Sequence, residues 1–234
     1  MTIADNLSAV RARIARAAER AGRNASDVTL MAVTKTFPPE TIIEAYEAGQ
    51  RLFGENRVQE FAEKVGSLSK MRDAQFHMIG HLQSNKASAA AEIFHAVDSL
   101  DSVKLAERLN AAAEKLNKTL DALIEINVGG ESAKSGIAPD SDEVGNILNG
   151  APSWPNLRLR GLMTVPPFTE DPEGARPYFR QLRELRDRLA ARQLPSVSLE
   201  VLSMGMSHDF EVAIEEGSTC VRLGTAIFGT RTKP

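Results

Sequence analysis

The chain of 234 residues has a single cysteine, Cys220, so it can form no internal disulfide, and a reducing cytoplasm is the expected setting. Long apolar runs are missing too. Charge or glycine breaks even the strongest within about ten residues, short of the roughly 18 to 20 that a membrane-spanning helix needs. The first twenty residues carry charges throughout and have no apolar stretch of the kind a secretory signal requires. Neither sign of charge dominates. With 28 basic and 31 acidic side chains and a net charge of −3, the chain offers no general cationic field for a phosphodiester backbone, which disfavours a dedicated nucleic-acid binder. Also missing are a long linker, a low-complexity tract and a fixed-period repeat, so one domain over residues 1–234 is expected. At 42% hydrophobic residues the chain is too apolar for disorder and long enough for one sizeable core.

What is present is an alternation. Ile3, Leu7, Val10, Ile14 and Ala17 recur at helical spacing and predict an amphipathic first helix that ends near Gly22. A β-prone run at Thr29 to Thr34 follows, then a helix from the prolines at 38 and 39 to Gly49. The scheme repeats through R-L-F-G-E-N, Q-F-H-M-I-G-H, F-H-A-V-D-S, D-A-L-I-E-I-N-V, L-R-L-R-G-L-M-T-V and L-E-V-L-S-M-G, each with a helical segment after it, and finishes with C-V-R-L-G-T-A-I-F-G. About eight strands alternating with helices imply parallel pairing and match an α/β chain folded as a (β/α)8 barrel with an extra N-terminal helix. A doubly wound open sheet is the competitor. The barrel is favoured because no G-x-G-x-x-G follows the first strand and polar residues stand at the carboxyl end of nearly every strand. Ala151 to Pro155 is expected to be a loop, and the charge-rich F-R-Q-L-R-E-L-R-D-R-L-A-A-R-Q to present a solvated face.

Lys35 follows directly on the first strand, which puts it at a barrel mouth, where partial burial disfavours the ammonium and makes the amine a nucleophile toward an aldehyde. An exposed loop lysine is the plain alternative. At the far end of the chain, L-S-M-G-M-S and R-L-G-T-A place glycines and hydroxyls after strands seven and eight, where barrel enzymes often bind phosphate. Ser203, Gly205, Ser207, Gly224 and Thr225 are the candidate phosphate ligands, with two ordinary turns as the alternative. The tail G-T-A-I-F-G-T-R lacks the lysine of a Walker A loop. Arg222 lies inside an apolar strand and requires an acceptor, either a ligand ring nitrogen or a carboxylate. Asn56 ends strand two, where it orients a ligand or caps a helix, and Glu55 is placed to pair with a cation. His77 and His81 are expected at the barrel lining or mouth without a metal, since no acidic residue or cysteine stands beside them at ligand spacing. Met163 and Thr164 end strand six against a flat ring or in the core. Gly129 and Gly130 suit a loop whose Lys134 is solvated, and Cys220 suits a small core position.

The segments V-T-K-T, F-G-E-N-R-V-Q-E, H-M-I-G-H-L-Q-S-N-K, G-L-M-T-V-P-P, L-S-M-G-M-S-H-D-F and V-R-L-G-T-A-I-F-G occur in that order from about Leu30 to Gly229. This set resembles the pyridoxal phosphate homeostasis protein family. The resemblance implies a barrel similar to the N-terminal domain of alanine racemase, a fold type III arrangement, with pyridoxal 5'-phosphate (PLP) in the mouth. It makes Lys35 the lysine of the aldimine, assigns Ser207, Gly224 and Thr225 to the phosphate with Ser203 and Gly205 beside them, sets Arg222 against the pyridine nitrogen, and puts Asn56 near the ring, where the position of Met163 at the end of strand six also makes it a candidate. Arginine does not release its proton, so a ring nitrogen facing it stays unprotonated and the cofactor is a weak electron sink.

The implied role is to hold and buffer this form of vitamin B6, or to pass it to apo-enzymes, with indirect effects on amino-acid and keto-acid balance and no catalytic residue. A monomer is expected. An amino-acid racemase is the alternative; against it, the chain stops five residues after Gly229 and its two tyrosines, Tyr46 and Tyr178, fall in helices. A Schiff-base aldolase using Lys35 is the third reading.

Overall fold

A computed structural model describes residues 2–131 and 135–229; Lys134 lies outside the described residues. The chain begins with helix α1 (Ile3–Arg20), capped by Thr2, whose hydroxyl accepts from the Asp5 amide while the Asp5 carboxylate accepts from the Thr2 amide. Then come β1 (Thr29–Val33), α2 (Pro39–Glu47), β2 (Leu52–Glu55), α3 (Val58–Val65), β3 (Gln75–Met78), α4 (Ala87–Ile93), β4 (Ala96–Leu100) and α5 (Val103–Lys115). The second half continues with β5 (Leu120–Glu125), α6 (Asp142–Gly150), β6 (Leu157–Met163), α7 (Arg176–Ala190), β7 (Val197–Ser203), α8 (Phe210–Glu215), β8 (Cys220–Leu223) and the single turn α9 (Thr225–Phe228). A short 3-10 turn at Ala151–Ser153 occupies the expected loop.

The strands close in sequence order, β1 to β8, with β8 pairing back in parallel onto β1. The alternation seen in the sequence thus becomes a closed (β/α)8 barrel with one extra helix before it, as expected. Side chains alternate across each strand, so one set points into the barrel and the other toward the helices. The outward set, including Phe53, Phe76, Met78, Val97, Ile124, Leu162, Leu202 and Val221, is buried under the helical layer. Phe53, Phe76, Phe61 and Phe94 form a chain of ring contacts with centroids 4.7–5.2 Å apart that seats α3 and α4 on the strands. Each such ring contributes about 1.5–3 kcal/mol by leaving water.

Helix α1 buries Leu7, Val10, Ile14, Ala17 and Ala18. It packs on α8 and α9. The Asn6 amide donates to the Ile227 carbonyl at 2.8 Å, and Arg13 holds Glu211 through two bonds of 3.1 and 3.2 Å. The extra helix therefore buttresses α9, which begins at one of the candidate phosphate loops. Helix α7 presents the expected solvated face, with Arg180, Gln181, Glu184, Asp187 and Arg188 exposed, and along one edge Arg176, Arg180 and Arg183 reach Glu216 at 2.9–3.1 Å. Glu216 is buried, so the charges of this edge are used to hold α7 against the end of α8. No helix among the described residues is long and apolar enough to cross a membrane.

Candidate functional site

The carboxyl ends of the strands surround a cavity of about 590 Å³. Lys35, Asn56, Ser207, Arg222, Gly224 and Thr225 all line it, so six candidates from four strand ends meet in one space. Lys35 is half-buried, separated from the end of β1 by Thr34. Asn56 follows β2 and is not a helix cap, because the N-cap of α3 is Arg57. Its backbone is set by Gly80: a Cβ there would lie 2.4 Å from the Asn56 carbonyl oxygen, so only glycine lets the two loops approach.

The phosphate candidates form a hydrogen-bonded unit. Ser207 Oγ accepts from the backbone N–H groups of Gly224 and Ala226, both at 3.3 Å. The turn that presents Ser207 is shaped by Asp209, whose carboxylate accepts from the Met206 amide at 2.6 Å, and by Gly205 at φ 97. A Cβ on Gly205 would meet the Ala213 Cβ at 2.6 Å and the Phe210 Cα at 3.0 Å. The two amides point at the Ser207 hydroxyl, so this edge of the cavity gathers a hydroxyl and backbone N–H groups, the kinds of donor an anion takes.

Arg222 is 4% exposed. Its Nη1 donates to Ser203 Oγ at 2.7 Å and its Nη2 to the Thr164 carbonyl at 2.8 Å. Burial lowers its pKa, while the negative charges of Asp98, Glu125 and Asp209 act in the opposite direction. With two of five N–H groups used on these acceptors, the guanidinium has donors left for the cavity it lines.

Three of the candidate residues do not line the cavity. Ser203 lies beneath Arg222 and accepts from it, and the Gly205 carbonyl accepts from the Arg222 amide at 3.0 Å, so both support the site from behind. Met163 is fully buried at the end of β6, which makes it part of the barrel filling rather than a wall of the mouth. The histidines separate. His81 reaches the mouth and stands 3.1 Å from Asp101, while His77 points to the opposite end of the barrel and stands 3.1 Å from Asp98. Each has a carboxylate partner from the following β/α unit, which local spacing in the sequence did not reveal. Among the described residues no group of three or more His, Cys, Asp or Glu is placed to hold a metal ion.

Glu125 is a mouth residue that motif reading passed over. It ends β5, is 6% exposed, and accepts from Ser135 Oγ at 3.3 Å, while its Oε2 is buried without a partner. Burial pushes its pKa up, opposed by the Ser135 hydroxyl. The reasoning applied to Arg222, a charge inside an apolar strand, applies equally to Glu125. Val165, Met206 and His208 complete the rim.

The family described as alanine racemase, N-terminal domain matches residues 6–232. A pyridoxal phosphate homeostasis protein of Aquifex aeolicus is 47% identical over 231 residues, covering 99% of each chain. The structure of PipY from Synechococcus elongatus, solved with PLP bound, shares 35% identity and a TM-score of 0.84 over 97% of this chain and all of its own. An alanine racemase of Clostridium difficile has the same barrel, with a TM-score of 0.71 at 16% identity, over 98% of this chain and 58% of the racemase. Ordered motifs, a closed barrel and full-length identity agree, and the chain belongs to the alanine racemase N-terminal domain family, among its pyridoxal phosphate homeostasis proteins.

Proposed function

We propose that this protein binds PLP in the mouth cavity through Lys35 and takes part in PLP homeostasis, buffering the cofactor or delivering it to apo-enzymes, without catalysing a reaction of its own. One observation carries this reading: an amine, a buried guanidinium and a hydroxyl–amide anion cradle share a single 590 Å³ cavity. Glu125 supports it, since a buried carboxylate that lines the cavity and leaves one oxygen without a partner is an unsatisfied polar group beside the binding space. The bound structure of PipY and the names of the full-length relatives point the same way.

When bound, PLP supplies an aldehyde that condenses with a primary amine and loses water. Lys35 is the amine, half-buried at the strand end. Ser207, Gly224 and Thr225, which line the cavity together, would hold the phosphate, with the Gly224 and Ala226 amides fixing the Ser207 hydroxyl. Asn56 stands at the mouth on the β2 side, and Arg222 offers only donors to a ring nitrogen, which favours retention of the cofactor over carbanion chemistry. Neither tyrosine lines the cavity. The Tyr46 phenol bonds to Asp73 with its ring under Arg51, and Tyr178 packs against the core. On the same reading residues 1–234 are one cofactor-binding domain, working as a monomer in the cytoplasm with no nucleic-acid or membrane partner.

The test is the visible spectrum of the purified protein before and after borohydride, with mass analysis of the Lys35 peptide. A reducible band and a pyridoxyl group on Lys35 are expected, with no turnover of alanine by the loaded protein. A colourless protein that takes up no PLP overturns the reading. Turnover of alanine would make the protein a racemase, with Glu125 or His81 as the first candidates for the second base.

A further inference from the structure

Lys35 occupies the second position of a tight turn, closed by the Phe37 amide donating to the Thr34 carbonyl at 3.1 Å. The third position is Thr36 at φ 68. Turns with positive φ at that place favour glycine, and a β-branched residue there is strained, so the surrounding structure has to hold it. What holds it lies outside the barrel. Lys64 and Glu55 form a buried ion pair at 2.8 Å, with Glu55 fully buried. The Lys64 ammonium has three donors; besides Glu55, it reaches the carbonyls of Thr34 and Phe37, each at 3.4 Å. Glu55 Oε1 also accepts from the Thr34 hydroxyl at 2.8 Å. Both carbonyls that Lys64 reaches bracket Lys35 and the strained Thr36. Farther along the turn, the Phe37 ring meets that of Phe228 on α9, with centroids 4.7 Å apart, which ties the turn to the phosphate cradle.

We propose that the Glu55–Lys64 pair is a positioning device for Lys35: it grips the turn from behind the barrel wall, keeps it closed over the strained Thr36, and thereby aims the Lys35 amine at a ligand anchored on α9. This rests on the reading that Lys35 condenses with PLP. In that step the Lys35 nitrogen adds to the aldehyde carbon, the carbonyl oxygen leaves as water after taking up the two amine protons, and a C=N bond replaces C=O, with no change of oxidation state. A buried ion pair adds little net stability, because desolvation offsets its attraction; what this pair contributes is the geometry it imposes on the turn.

The experiment uses the full chain stripped of cofactor and two probes. PLP reports condensation through the rate at which the visible band appears, and pyridoxine 5'-phosphate, which has an alcohol in place of the aldehyde, reports non-covalent binding. Lys64→Met is expected to slow condensation roughly tenfold or more, as misplacement of a reacting group does, while pyridoxine 5'-phosphate affinity stays within about twofold of wild type. Lys64→Arg restores the rate. Thr36→Gly, which removes the strain, should make the rate much less sensitive to Lys64→Met, a coupling that a double-mutant cycle measures. If Lys64→Met does not fold, Lys64→Gln is measured in its place, with the same expectation. Condensation at the wild-type rate, or equal loss of condensation and analogue binding, overturns the proposal. Absence of a borohydride-trapped adduct on Lys35 in the wild-type protein instead overturns the underlying PLP reading.

Discussion

The two ends of the barrel carry cavities of comparable size, about 590 Å³ at the carboxyl ends of the strands and about 430 Å³ at the amino ends, and differ in what their polar groups do. At the amino end the charges answer one another. His77 meets Asp98 at 3.1 Å, Asp121 meets Arg158 at 2.6 Å, and Glu200 meets Arg160 at 3.1 Å. Cys220 lines the same space, but burial pushes its thiol up to about 12, so it stays protonated at neutral pH. At the mouth, Glu125 keeps an orphaned oxygen, Ser207 gathers backbone amides, and Arg222 retains donors beyond those given to Ser203 and Thr164. A binding site is thus marked by polar groups that converge on space, and volume alone does not mark one.

The sharpest way to break this comparison is to exchange the fates of the two ends. Lys35→Ala should abolish the borohydride-trapped adduct entirely, whereas His77→Gln at the other end should leave it intact; trapping on another lysine in the first variant would relocate the site. Gly205→Ala comes next. The left-handed backbone at φ 97 and the 2.6 Å approach to Ala213 should cost about 2–4 kcal/mol of stability, read from denaturant unfolding, and weaken pyridoxine 5'-phosphate binding by distorting the Ser207 turn.

Asp98→Asn tests the amino end and should destabilise by about 1–3 kcal/mol without altering cofactor uptake. Burial by itself would lower the His77 pKa, but the Asp98 carboxylate overrides it and raises the value. A raised folded pKa stabilises the protein fully below the unfolded histidine value of about 6.5 and loses that stabilisation as pH climbs through the folded value. Melting curves between about pH 5 and 9 should show this component in wild type and not in Asp98→Asn. The smallest effect is expected at the rim, where Phe168 is 77% exposed with its ring 5.4 Å from that of His208. Phe168→Ser should change stability by no more than about 0.5 kcal/mol and leave uptake unchanged, which would separate the rim from the cradle.

The barrel was legible because its strands are short apolar runs and its helices carry the 3.6-residue period, so the order of elements survives reading one segment at a time. Lys35 and Arg222 were legible for a related reason, since each is a cation at or inside a strand end that needs an acceptor or a purpose. Glu125 carries the same signal within L-I-E-I-N-V, but it stands outside every family motif. Met163 was placed at the mouth on its position alone, while its height in the barrel puts it in the filling. His77 and His81 are four residues apart and lie at opposite ends, because the strand runs along the barrel between them. The solvated outer face of α7 was legible in its charge pattern, but the shared acceptor of Arg176, Arg180 and Arg183 was not, because Glu216 lies more than thirty residues downstream.

By itself the sequence determined the alternating α/β order, the near-neutral charge balance, and the set of polar residues at strand ends, since propensity, periodicity and composition are local properties. Tertiary structure decided which of those residues face one another. Closing eight strands into a ring brings β8 beside β1, sets Arg222 over Ser203 and Thr164, and lets Lys64 grip the turn of Lys35 from thirty residues away. Such pairings depend on register, on barrel height and on the direction of each side chain, and closure fixes all three at once.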